Sequence, residues 1–125
     1  MSRLKKPLVI DNFYELLSLH RVIVEARFNQ KPRDLDVRRG SHVVDLANRV
    51  VALLKESDDE TDWDEWLFAD EHPYIVETIT KRITEDYDGI WAELELEDKP
   101  DFINYLAAPF KPSEELVQRL VDENT

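Results

Sequence analysis

The sequence predicts an all-α fold: a single-domain bundle of five to six helices around a central buried helix at about residues 41–56. Three observations carry that expectation. In SHVVDLANRVVALLKE, 3.6 residues per turn leaves Val43, Val44, Leu46, Ala47, Val50, Val51, Leu53 and Leu54 around most of the circumference, with only a narrow stripe of Asp45, Asn48, Arg49 and Ala52. Apolar residues recur at spacings of three and four in the segments on either side. Only two glycines, Gly40 and Gly89, occur in 125 residues, too few for a fold rich in tight hairpins. A chain of this length suits one domain, 1–125, with residues 1–11 as an extended basic arm that can lie across the core or add a short strand.

Taken in order, the first helix opens on Asn12, with Glu15 three residues on as a capping box and Ile10 placed to staple against Leu16. It should run over 13–28, turning Phe13, Leu16, Leu17, His20, Ile23, Val24 and Phe28 inward and Glu15, Ser18 and Glu25 outward. Residues 29–40 form a long connector interrupted by Pro32, and Lys31, Arg33, Arg38 and Arg39 make it the one basic surface element. Ser41 then caps the central helix. The run ESDDETDWDE, 56–65, holds seven acids and no base; its first part reads as a linker, after which Thr61 and Asp64 open a short helix. Pro73 suits the first position of the next helix, with Asp70 or Glu71 ahead of it. Ile75, Ile79, Ile83, Tyr87, Ile90 and Leu94 continue its period, subject to a break at Asp88-Gly89. Residues 91–97 fit either a helix or, by their alternation, a short edge strand. Pro100 opens a short helix that ends by Pro109, and Ser113 caps a last one with Leu116, Val117, Leu120 and Val121 inward.

Charge is the most informative bulk property. The net charge is −12, yet residues 1–55 carry 11 Lys or Arg against 6 Asp or Glu while residues 56–125 carry 5 against 22. An acidic surface of that density repels nucleic acid and anionic membranes and steers toward basic partners, although acidic surfaces also serve simply to keep proteins in solution. No apolar run approaches the ~20 residues of a membrane span, and the cytoplasm is the expected compartment. With no cysteine, disulfides, thiolate catalysis and cysteine-bound zinc are excluded.

Chemistry-bearing motifs are sparse. His20 reads as a core histidine, His42 opens the central helix and His72 precedes Pro73; none stands at HxxxH or HExxH spacing. No phosphate-binding loop or nucleophile elbow is present, so neither catalytic residues, nor metal ligands, nor a cofactor are assigned. The leading expectation is a small acidic interaction module, of the kind represented by inhibitors, immunity or antitoxin-like proteins and nucleic-acid mimics. It would bind a basic protein partner through Asp58, Asp59, Glu60, Asp62, Trp63, Asp64, Glu65 and Trp66. Tryptophans at this spacing most often dock a short helix onto the core, and the exposed anchor ringed by acids is the sharper alternative. Two alternatives stand beside it. One is a small metal-dependent hydrolase of phosphorylated substrates using Asp62 with Glu65 and the cluster Glu85, Asp86 and Asp88, as all-helical phosphohydrolases do with acid pairs one turn apart. The other is a homodimer through an apolar helix face.

Overall fold

The computed structural model describes residues 3–29, 34–86 and 89–125. Its elements are α1 (Phe13–Arg27), α2 (Leu35–Arg39), α3 (Ser41–Ser57), α4 (Trp63–Trp66), α5 (Pro73–Glu85), α6 (Ile90–Glu93), α7 (Lys99–Ala107) and α8 (Glu114–Glu123), with 3₁₀ turns at Ala69–Glu71 and Leu96–Asp98. The fold is all-α: five helices of nine residues or more make the bundle, three short ones turn its corners, and there is no strand among the described residues.

Local chemistry sets most of the boundaries. Asn12 Oδ1 accepts from the amides of Tyr14 and Glu15 at 2.9 and 3.2 Å, and Ile10 packs against the core just before it. Pro73 occupies the start of α5, where a missing N–H costs nothing. Ser113 caps α8 through the Leu116 amide at 3.0 Å, and Leu116, Val117, Leu120 and Val121 are all buried as their spacing predicts. Residues 91–97 resolve as the short α6, an extended pair at Leu94 and Glu95, and a 3₁₀ turn, not an edge strand.

Several expectations need correction. The connector contains α2, capped by Asp34 through the Asp36 amide, and Arg38 is buried instead of lying on a basic surface; Pro32, Lys31 and Arg33 lie outside the described residues. The cap of α3 is Gly40, not Ser41, and makes no side-chain bond. A Cβ at position 40 would stand 2.5 Å from the Asp36 carbonyl oxygen, so glycine is what lets α2 close and α3 begin on one residue. Ahead of α5, neither Asp70 nor Glu71 acts as its cap; that position is His72. The helix stops at Asp86, which has φ of 39°, and Gly89 follows with φ of 69°, so its period does not continue to Ile90; Tyr87 and Asp88 lie outside the described residues. The arm, finally, is open to solvent from residue 3 to residue 9 and adds no strand.

The largest difference concerns α3. It packs chiefly against α1 and α2 and buries one face, Val44, Ala47, Val50, Val51 and Leu54, while Leu46 and Leu53 face solvent. A helix packed chiefly from one side is covered on that side only, whatever its composition. Adjacent residues should therefore differ sharply on truncation. Leu54, with none of its surface exposed, should cost about 2–5 kcal/mol as Leu54→Ala. Leu53, 48% exposed, should cost about 0.5 kcal/mol or less as Leu53→Ala. Urea denaturation of the two variants reads the contrast directly.

Candidate functional site: an indole in an acidic depression

The acidic run begins where α3 ends, and its first acid builds structure. Asp58 Oδ1 accepts from the amides of Glu60 and Thr61 at 3.1 and 3.3 Å, and its Oδ2 takes the Thr61 hydroxyl at 2.6 Å. These bonds, the hydroxyl first, hold its carboxyl below the usual aspartate range. The expected linker is thus an ordered Asx turn. Asp62, not Thr61, then caps α4 by accepting from the Glu65 amide at 3.2 Å.

The two tryptophans part company. Trp63 is 6% exposed: its Nε1 donates to the Asp58 carbonyl at 3.0 Å and its ring meets His20 edge-on at 6.5 Å. Trp63 is consequently a core residue and is not available as a surface anchor. Trp66 lies 6.3 Å from Trp63, centroid to centroid, and is 58% exposed. Because α4 is a single turn, the chain bends away before a second ring can be drawn onto the face that Trp63 and Leu67 share.

The backbone beneath Trp66 is pinned on both sides. His72 Nε2 bonds the Trp66 carbonyl oxygen at 2.8 Å, and the His72 ring packs against Phe110 at 5.1 Å. A parallel bridge joins Phe68 to Lys111, with Ala69 N–H donating to the Lys111 carbonyl at 3.0 Å and Lys111 N–H to that of Leu67 at 2.8 Å. Asp70 adds a third tie, accepting the Ser113 amide at 2.9 Å and the Ser113 hydroxyl at 2.5 Å.

Thr61, Asp62, Glu65, Trp66, Glu71 and His72 line a shallow depression of about 490 Å³. A neighbouring one includes Asp58, Asp59, Glu60 and Asp64 and shares Thr61 and Asp62 with it. Asp59, Glu60, Asp62, Glu65 and Glu71 are exposed. Asp64 is exposed too but pairs with Lys55 at 2.7 Å and lies 4.0 Å from Lys111, and the Lys55 bond keeps its carboxyl low. Neither lysine nor arginine lines the depression around Trp66. Glu71 and His72 join the site although nothing in the linear pattern marks them; the 3₁₀ turn Ala69–Glu71 folds them back beside Trp66.

The other acid group is spent on structure. Glu85 faces Arg38 at 3.6 Å and Lys81 at 3.8 Å, and Asp86 accepts from the amides of Trp91 and Ala92 at 2.9 and 3.1 Å; Asp88 lies outside the described residues. No group of three or more His, Asp or Glu side chains is arranged to hold a metal ion among the described residues. No helix among them is long and apolar enough to cross a membrane.

His20, beneath Trp63, gives the site a pH dependence. Burial, with Arg21 adding to it, holds the imidazole below its ordinary 6.5. The unfolded chain therefore takes up this proton before the folded one does, and stability should fall as the pH drops below about 6.5 until the folded-state pKa is passed. His20→Phe removes this component. Urea midpoints of wild type and variant, compared between about pH 5 and 7.5, should diverge in slope only on the acid side.

The chain matches no protein-family model, no curated protein and no solved structure.

Proposed function

We propose that this protein is a small helical interaction module that binds a basic protein surface through Trp66 and the carboxylates around it. The observation that carries this reading is a large indole left in solvent on a rigid support, in a depression lined by Asp62, Glu65 and Glu71 and by no lysine or arginine. Leaving such a ring exposed forfeits its burial free energy unless a second molecule covers it. Encounter is steered by the long-range field of a chain of net charge −12, in which residues 56–125, the part that holds the site, carry 22 acids against 5 bases. Contact then places lysine or arginine side chains against the carboxylates and over the indole face, where a cation gains from the ring quadrupole and both partners lose water. Inhibitors, immunity or antitoxin-like proteins and nucleic-acid mimics are the classes that work this way.

The expected behaviour is specific. Binding to a basic partner should weaken steeply with salt, since exposed charges are screened within ~10 Å at 0.1 M ionic strength. Trp66→Ala should weaken it by roughly 30-fold, the equivalent of an aromatic anchor worth about 2 kcal/mol, with unfolding free energy unchanged. Affinity capture with immobilised protein at low ionic strength, repeated with Trp66→Ala, makes the measurement. Failure to retain any cationic protein under those conditions removes the proposal's support.

A further inference from the structure

The arm is another surface that folding leaves uncovered. Residues 3–9 form neither helix nor strand, and Leu4, Leu8 and Val9 lie open, Leu8 at 82%. Ile10, by contrast, packs against the core and marks where the arm leaves the body. Arg3, Lys5 and Lys6 precede the first acid of the chain, Asp11. Pro7 fixes its own φ and removes a backbone donor, so the segment favours an extended course. A short extended peptide that is both cationic and aliphatic has a stated complement: an anionic surface with an apolar floor. The Trp66 depression has that character, with the exposed carboxylates of Asp62, Glu65 and Glu71 around an indole and those of Asp59 and Glu60 in the depression beside it. Within one copy each of the two surfaces is exposed to solvent.

We propose that the arm of one copy docks in the Trp66 depression of a second copy. Arg3, Lys5 and Lys6 face Asp59, Glu60, Asp62, Glu65 and Glu71, while the aliphatic side chains of the arm cover the indole. Seven extended residues reach about 23 Å. Two copies close the contact by exchanging arms, so the interface is two-fold and isologous, with the arm–depression pairing made twice. A peptide-sized interface makes the association weak and concentration-dependent. This inference rests on the functional reading of the Trp66 depression given above and names a second copy of the chain as an occupant.

Sedimentation equilibrium of the full chain tests it. At about 20 mM salt the wild type should show a mass above the monomer's 14.8 kDa that rises with concentration, returning to 14.8 kDa at about 500 mM, where charges are screened within ~4 Å. Both Lys5→Glu/Lys6→Glu and Trp66→Ala alter exposed side chains and should lose association at least tenfold while keeping the wild-type circular dichroism. An equimolar mixture of the two should associate more than either variant alone, and more weakly than the wild type, because one of the two arm–depression contacts is restored. A wild type that is monomeric throughout, association that survives either variant, or a mixture that stays monomeric overturns the proposal. If self-association is absent while Trp66-dependent binding to a basic protein persists, the arm assignment alone falls. If both are absent, the functional reading falls with it.

Discussion

A single guanidinium holds the bundle's corner together. Arg27, with no exposed surface, ends α1 and donates to the carbonyl oxygens of Ala108 and Tyr105 at the end of α7 and of Arg38 near the end of α2. Helix C-termini leave carbonyls without intrahelical partners and carry partial negative charge, so a cation buried among them satisfies both needs at once. Burial lowers its pKa to about 10, still far enough above neutrality to keep it charged. Arg82, whose pKa burial also lowers to about 10, reaches from α5 to the Asn29 carbonyl, and both guanidinium groups lie over the ring of Phe28, at 5.6 and 5.9 Å. Tyr105 closes the corner by donating its hydroxyl to the Arg39 carbonyl. Four helices, α1, α2, α5 and α7, are thereby fixed at one point. The direction of α3 follows, because Gly40 starts it where α2 ends.

That corner is also where the sequence is least legible. Helix starts at Asn12, Pro73 and Ser113 rest on interactions within three or four residues, and such signals survive into the fold unchanged. Arg27 and Arg38 are different. A long aliphatic stem with a charged end sits equally well on a surface or in an interior, and what decides is whether carbonyls or carboxylates from distant segments converge on it. The sidedness of α3 was hidden for a related reason: Leu46 and Leu53 are apolar, but burial requires a neighbour, and the pattern of one helix does not count its neighbours.

The candidate site was legible in composition more than in geometry. Seven acids and two tryptophans within 56–66 mark the region, yet the side chains divide into two trades. Asp58 folds the turn, Asp62 caps α4, Asp64 pairs with lysine and Trp63 joins the core. Asp59, Glu60, Glu65 and Trp66 remain at the surface, beside Glu71 from the next turn. The spacing of Trp63 and Trp66 suggests one shared face, but a helix of one turn has no length over which a face can persist. The same short helix that buries one ring therefore presents the other.

The placement of the three indoles has an optical corollary. Trp63 and Trp91 are enclosed, each with its Nε1–H given to a backbone carbonyl, and Trp91 lies beneath the Lys99 ammonium at 4.9 Å; Trp66 alone of the three meets water. The emission of the molecule is thus a composite of sheltered and hydrated fluorophores. A collisional quencher dissolved in the buffer reaches chiefly the hydrated one, and among the carboxylates there caesium ion approaches more readily than iodide.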